Sequence, residues 1–420
     1  MPQTVAEKIL AAHSGRAAVE AGELLNVKVD FAMANDITAP PAIAEFRKLG
    51  VERVWDPDRV ALVSDHFCPN KDIPSATNAK TNREFALEQG IKYHFDGGRV
   101  GIEHALLPEQ GLVGPGEVVL GADSHTCTYG ALQCFSCGVG HTDLAVAWAT
   151  GEVWMKVPQS LKISIHGRKG KWINGKDVIL HIIGRIGVEG ANYMAMEYTG
   201  EGMAELTMED RFTMANMSTE AQAKVGLYPF DARTREFVTG RTKRPFTVYE
   251  ADRDARYVDE VEVDLSKLEP VVAMPYLPSN VKAVREVGNI TIDQAFIGAC
   301  TNGWLADLRV AASLLKGKRV HPSVRCIVIP ATPTIYKQAL QEGIIQTLLD
   351  ADCAVSTPTC GPCMGGHMGV LAAGERCIST SNRNFRGRMG HVESELYLAS
   401  PAVAAASAVL GRIAHPEEIA

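Results

Sequence analysis

Ten cysteines stand in this 420-residue chain, and their spacing separates candidates for chemistry from candidates for packing. Cys300 closes the apolar run Ala295-Phe-Ile-Gly-Ala299 and leads through Thr301-Asn-Gly303 into a helical pattern. A thiol at a strand's carboxyl end and a helix's amino end is placed to favour the thiolate, the form that binds metal. Further on, Cys360-Gly-Pro-Cys363 lies in a loop that proline and glycines keep out of regular structure, leaving backbone N–H groups free to face sulfide. Zinc sites, iron–sulfur clusters and redox dithiols all use such a pair, so the spacing alone leaves all three open. A second pair, Cys134-Phe-Ser-Cys137 with Cys127 upstream, runs into the apolar pattern Gly138 to Trp148 and reads as packing. Cys68, Cys326, Cys353 and Cys377 lack paired spacing; Cys326 falls inside an apolar strand, and Cys68 follows Asp65-His66.

Two polar groups interrupt apolar surroundings in the same way: Val63-Ser-Asp-His66 after one strand pattern and Asp123-Ser-His125 after another. An aspartate beside a histidine sets its tautomer and raises its basicity, which suits acid–base work. His104, in Gly101-Ile-Glu-His104, reads equally as a functional histidine and as a surface or capping one. Ser381-Asn-Arg-Asn-Phe-Arg-Gly-Arg388 gathers Arg383, Arg386 and Arg388. Arginine forks match carboxylates, so a di- or tricarboxylate is the functional reading and a basic surface turn the plain one. Phosphate-loop, dinucleotide, nucleophile-elbow and H-E-x-x-H motifs are absent, and His391-Val-Glu393 follows the cysteine pair instead of preceding it, against a zinc deaminase.

The elements that must carry these residues alternate between strand and helix. Thr4 and Glu7 have capping-box spacing ahead of a helix. Strands are expected at Val27 to Met33, Arg59 to Ser64 and Glu117 to Leu120, with helices at Pro41 to Leu49 and Asn82 to Gln89. Between Tyr228 and Pro270 dense mixed charge predicts an exposed excursion ending in the strand-like Tyr257 to Val263. The rhythm resumes with strands Thr291 to Ile297 and Val324 to Ile329 and helices Leu305 to Leu315 and Ile335 to Glu342. Loops after strand carboxyl ends hold ligands in such folds, which is where Cys300, His66 and Asp123 fall.

Composition limits the function classes. With 46% apolar and 22% charged residues the chain is globular, and its length allows about two or three domains. A net charge of -7 without a basic block gives no reason to expect nucleic acid or an anionic membrane. No apolar run approaches the ~18 residues of a spanning helix, Ala402 to Leu410 reading as a short core helix. The amino-terminal residues show no apolar signal core, so the expectation is a soluble, cytoplasmic chain with reduced thiols.

Taken together, Gly121-Ala-Asp-Ser-His-Thr126, Cys300-Thr-Asn302, Cys360-Gly-Pro-Cys363 and Asn382-Arg-Asn-Phe-Arg-Gly-Arg388 resemble the signature segments of the aconitase superfamily, in that family's order and along nearly the whole chain. Cys300 to Gly303 and Cys360 to His367 look closest to the large subunits that handle isopropylmalate or homoaconitate. The resemblance implies an α/β fold of three α/β/α-type domains (1–157, 158–277 and 278–420) around a [4Fe–4S] cluster, without the swivel domain. Cys300, Cys360 and Cys363 would hold one cluster by three irons, leaving the fourth open for Lewis-acid hydration and dehydration of a 2-hydroxy acid. By the same resemblance Asp65 and His66 help protonate the departing hydroxyl, and His104 and Asp123 form an acid–base or water-orienting pair. Ser124 and His125 line the pocket, and Asn216 and Glu220 contact cluster and water. Asn302 and Asn382 would face the cluster, and Arg383 and Arg388 the substrate carboxylates.

Asn35 stands where aconitase carries a glutamine, which alters the reach to one carboxylate. The resemblance also implies that a separate small subunit carries the swivel domain and the base for the carbon-bound proton. Two readings of other classes remain: an iron–sulfur regulatory protein, which the acidic charge disfavours for nucleic acid, and a structural zinc protein.

Overall fold

Short apolar runs bounded by glycine and polar residues become strands, and the strands sort into three sheets and a ribbon. The computed structural model describes residues 2–420. Its first part contains β1 (Leu24–Lys28), β2 (Phe31–Asn35), β3 (Val60–Val63), β4 (Tyr93–Phe95), β5 (Val118–Gly121), β6 (Phe135–Gly138) and β7 (Glu152–Lys156). β1 and β7 pair antiparallel, and the rest form a parallel sheet ordered β4-β3-β2-β5-β6. A second parallel sheet, ordered β10-β9-β8-β11, uses β8 (Ser160–His166), β9 (Ala195–Thr199), β10 (Val225–Leu227) and β11 (Asp259–Asp264). The third contains β12 (Val271–Ala273), β13 (Val281–Ala283), β14 (Gln294–Ile297), β15 (Arg325–Val328), β16 (Ala354–Val355), β17 (Arg376–Ser379) and β18 (Glu395–Ala399). Its order is β13-β12-β18-β17-β14-β15-β16, parallel from β18 to β16 with β12 and β13 antiparallel at one edge. The chain changes sheet between Lys156 and Ser160, and again between Asp264 and Val271. The second change lies upstream of the expected boundary at 277, because β12 already pairs with β18.

Strand order reverses direction at two places, between β2 and β5 and between β14 and β17. At such switch points the connecting segments leave toward opposite faces, and a crevice opens at the strand carboxyl ends. The residues just past these four ends are Asn35-Asp36, Asp123-Ser-His125, Cys300 and Asn382-Arg383.

Three local expectations shift. The strand expected over Val27 to Met33 breaks at Val29-Asp30 into β1 and β2, because Asp30 turns its carboxylate inward to accept from Val118 N at 2.8 Å. The helix expected from Asn82 begins at Ile73, capped by Asp72, whose carboxylate accepts from Ser75 N at 2.8 Å. Its early turns bury only Ser75, Ala79 and Asn82, so they carry no apolar period to read. The charged excursion is largely exposed yet pinned: Arg244 Nη2 donates to Glu117 Oε1 at 2.7 Å and Tyr249 N to Gln133 Oε1 at 2.9 Å.

The opening helix, Val5–His13, is tied to the first sheet by its last residue. His13 Nδ1 lies 2.7 Å from Ile9 O and Nε2 lies 2.7 Å from Asp30 Oδ2, so both nitrogens face acceptors and both must carry hydrogen. Burial opposes the charge, but the bond to Asp30 and its charge raise the His13 pKa, and His13 in turn outweighs burial to lower that of Asp30. The raised histidine contributes fully below its ordinary value of 6.5 and loses that contribution as pH rises through the folded value. Asp30's share is lost only as pH falls through its lowered value. In urea melts His13→Gln should therefore trail the unmodified protein most below pH 6.5 and close the gap as pH rises through the raised folded value; a gap independent of pH would exclude a charged His13.

Candidate active site

Cys300 sits in the single helical turn Ala299–Asn302 that follows β14, reached through Ala299 at φ 64°, a left-handed conformation rarely taken by a residue with a side chain. Cys360 and Cys363 come from the loop after β16, which is bolted to the end of β3. Cys360 N donates to Asp65 O at 3.0 Å, and Thr359 Oγ1 donates to the same oxygen at 2.8 Å. Gly365 closes the loop at φ 70°, where a Cβ would also stand 3.0 Å from Gly390 N. All ten cysteines are buried and free, so no disulfide competes for these three thiols.

Side-chain amides are aimed at the sulfurs. Asn216 Nδ2 lies 3.2 Å and Asn382 Nδ2 3.3 Å from Cys300 Sγ, and Asn382 Oδ1 lies 3.6 Å from Cys363 Sγ. Arg388 Nη2 stands 4.0 Å from Cys363 Sγ, and its Nε is buried with no partner. Burial and then the proximity of Cys360 and Cys363 push the Cys300 thiol well up; burial pushes Cys360 up to about 12. Three buried thiols, of which Cys300 and Cys360 resist ionising, with amide donors already turned to the sulfur, form a donor set that a multivalent, thiophilic metal centre would neutralise.

Around the thiols stand two sets of carboxylates and imidazoles. His66 Nδ1 pairs with Asp65 Oδ1 at 2.8 Å, and Asp65, His66 and Cys360 place ligand atoms within 4.8 Å of one another. Burial would keep His66 neutral, but Cys360 and Asp65 raise its pKa well above the ordinary range. Asp36 fixes the backbone here, accepting from His66 N at 3.0 Å and Phe67 N at 2.9 Å. In the other set, Asp123 Oδ1 meets His104 Nε2 at 3.1 Å and His125 N at 2.8 Å, and these partners outweigh burial to hold its carboxyl well below the usual range. His125 Nε2 reaches Glu220 Oε1 at 2.8 Å. Glu220 also receives Arg383 Nε at 2.9 Å, while Arg383 Nη2 donates to Ser124 Oγ at 2.9 Å. Gly121 permits the turn that carries Asp123, since a Cβ there would stand 2.2 Å from Thr126 Oγ1.

Most expected residues meet at this one place, but two are engaged differently. Asn302 Nδ2 donates to Asp307 Oδ1 at 3.0 Å and Thr213 Oγ1 at 3.4 Å rather than to a thiol, because its helical turn points the amide away from Cys300. Asn35 is not a free substrate contact. Its Oδ1 accepts from Ile37 N and Thr38 N, both at 3.0 Å, and its Nδ2 donates to Glu103 Oε1 at 3.0 Å. Glu103 was not among the expected residues. Its only sequence signal is an acid beside His104 in an otherwise apolar run. The side chain is fully buried, its Oε2 has no partner, and Glu103 N donates to Asp65 Oδ2 at 2.7 Å. Burial, then Asp65 and Asp123, raise its pKa well above the ordinary value, so it is held as the neutral acid.

Comparison with known proteins places this geometry in a family. The model of the aconitase family (aconitate hydratase) matches residues 7–288 and 280–411. The chain is 62% identical over 419 residues to the 3-isopropylmalate dehydratase large subunit of Moorella thermoacetica, covering 100% of both chains. It is 60% identical over 424 residues to the protein of that name from Aquifex aeolicus, covering 100% of this chain and 98% of the other. Among solved structures, Thermococcus kodakaraensis aconitase X (holo-form) superposes with a TM-score of 0.53 at 15% identity, over 93% of this chain and 92% of that one, a likeness of fold.

The state of Glu103 yields a measurable expectation. A carboxyl whose folded pKa is raised costs stability as pH climbs from its ordinary 4.5 toward the folded value, because the unfolded chain releases the proton first. Glu103→Gln, which mimics the neutral acid, should therefore gain on the unmodified protein in denaturant melts as pH climbs above 4.5. A difference that stays constant with pH would mean the carboxyl is ionised in the folded state.

Proposed function

The chain belongs to the aconitase family, and from that premise we propose that it is the large catalytic subunit of a 3-isopropylmalate dehydratase. Such an enzyme is a hydro-lyase of leucine biosynthesis that isomerises a 2-hydroxy dicarboxylate by dehydration and rehydration. The observation that carries this reading is the meeting of Cys300, Cys360 and Cys363 with two carboxylate–imidazole sets and an anchored arginine. We further read the thiol set as the seat of one [4Fe–4S] cluster with three cysteine ligands and one open iron, which the amides of Asn216 and Asn382 suit as donors to sulfur. When bound, that group supplies a Lewis acid for a hydroxyl and a carboxylate.

The chain's own residues do the rest. Asp65 holds His66 by Nδ1, leaving Nε2 to deliver a proton to the departing hydroxyl. Asp123 orients His104, and Glu220 orients His125, which sets the two buried rings for acid–base or water-orienting work. Arg383 is braced by Glu220 and Ser124, which fixes its guanidinium plane for a carboxylate. Arg388 keeps a buried Nε free for the second carboxylate. Asn35 and Glu103 position these groups instead of touching substrate.

The removal of the carbon-bound proton is assigned to a small subunit with the swivel domain, in keeping with the words "large subunit" in the relatives' names. The three sheets are read as three domains around the site, and the enzyme as cytoplasmic; among the described residues no helix is long and apolar enough to cross a membrane. Homocitrate, homoaconitate and other substituted malates are the alternative substrates.

Purified without oxygen, the protein should be brown and contain iron and sulfide, and Cys300→Ser, Cys360→Ser and Cys363→Ser should each lose them. Mixed with the small subunit it should interconvert isopropylmalates. His66→Gln should lower kcat by roughly 10²–10⁴-fold, the usual worth of a proton donor, with iron content intact. A colourless, zinc-containing protein, or an iron protein inactive on every hydroxycarboxylate tried with the small subunit present, would refute the assignment.

A further inference from the structure

Lys176 begins the helix Gly175–Ile186, which follows β8 in the second sheet's part of the chain, and it is fully buried. Its ammonium donates to Thr380 O at 2.8 Å, to Ser381 O at 2.8 Å and toward Met217 Sδ at 3.2 Å. Each of those acceptors is neutral, and among the described residues no carboxylate lies within ion-pair distance of it. The neighbouring Asp177 is occupied elsewhere, accepting from Asn174 N at 3.1 Å and Val271 N at 3.2 Å. A buried cation with only neutral acceptors is unfavourable in a low-dielectric interior and is favoured by an anionic centre near it.

The surroundings say what that is. Thr380 O, held by Lys176, also accepts from Thr301 Oγ1 at 2.6 Å, and Thr301 adjoins Cys300. Ser381 O precedes Asn382, whose amide reaches Cys300 Sγ at 3.3 Å, and Arg383, which binds Glu220. One ammonium therefore spans a helix of one unit and the turn of another that aims two site residues. Burial lowers the Lys176 pKa to about 7, and the charges that resist this are, in order, Cys300, Asp307, Cys363 and Glu220.

We propose that Lys176 is a positioning residue that fixes the Thr380–Arg383 turn and whose positive charge balances the thiolate-bound iron–sulfur centre. The inference rests on the cluster reading above. A dicationic [4Fe–4S] core held by three thiolates is a net anion, and Lys176 supplies an opposite charge without occupying a coordination position.

The test uses the full chain, reconstituted with iron and sulfide without oxygen, comparing Lys176→Met, Lys176→Gln and Lys176→Arg. Glutamine keeps a donor for the carbonyls but not the charge; arginine keeps the charge. The readouts are thermal melting of the iron-free protein, iron and sulfide content, and the cluster's midpoint potential by redox titration. Both neutral variants should show a potential shifted to more negative values and faster iron loss in air, by several-fold, while the arginine variant stays near the unmodified protein. Folded, cluster-loaded neutral variants with an unchanged potential would overturn the proposal. So would failure of both neutral variants to fold, which would make the lysine purely structural. If the unmodified protein itself takes up no iron–sulfur centre, the cluster reading fails first.

Discussion

The arrangement depends on one electrostatic constraint: three thiols and several carboxylates must stand together, nearly dry, where two parallel sheets present their strand ends. Each such group, taken singly, is pushed toward its neutral form by burial, and crowding them adds repulsion between like charges. The structure answers by giving nearly every anion a donor. Asp36 takes two backbone N–H groups, Asp65 takes His66 and Glu103 N, Asp123 takes His104 and His125 N, and Glu220 takes His125 and Arg383. Glu103 has the Asn35 amide on one oxygen and no partner on the other, and burial with the charges of Asp65 and Asp123 raises its pKa well above the ordinary value. The thiols are crowded together with amide donors turned to Cys300, which gives the set the character of a binding site for a polyvalent centre rather than of a packed core.

Meeting that constraint requires pieces from distant parts of the chain. Both switch points contribute residues from their opposed loops, Asn35 to Asp36 and Asp123 to His125 at the first, Cys300 and Asn382 to Arg383 at the second. The Cys360 loop is joined to the end of β3 by two bonds to one carbonyl, Asp65 O. Asn216 and Glu220, from the second part of the chain, reach both neighbours. A shift of any one unit would therefore break hydrogen bonds at the centre, so docking and site formation are a single event.

Much of this was legible in the sequence, and for a physical reason. Short apolar strands ending in polar residues mark ligand-facing loops, so Asp65, His66, Asp123, His125 and Cys300 could be picked out by position. The thiol pair Cys360 and Cys363 could be picked out by spacing but not distinguished by it, and only family resemblance joined it to Cys300. What could not be read were roles set by the third dimension. Cys134 and Cys137 share the spacing of Cys360 and Cys363, yet they lie buried before β6 and on it, with Cys134 Sγ donating to Gly114 O at 2.8 Å. Lys176 belongs to no motif or paired spacing, and the helix from Ile73 hid because its early turns bury polar residues.

Asn35 shows how a single shortened side chain is absorbed. Its carboxamide is drawn back into its own turn by Ile37 N and Thr38 N, and the wall it forms takes up the space beside it. Glu103 lies beside that space, hydrogen-bonded to Asn35 and 3.5 Å from His104 Nε2. Its backbone N reaches Asp65 and its Oε1 lies between Asn35 and His104, so the residue stands between the Asp65–His66 set and the His104–Asp123 set. The departure at Asn35 and the unforeseen acid at Glu103 thus form one compensated pair. Polarity at this wall of the site is kept while its net charge stays low enough for a doubly negative substrate to approach.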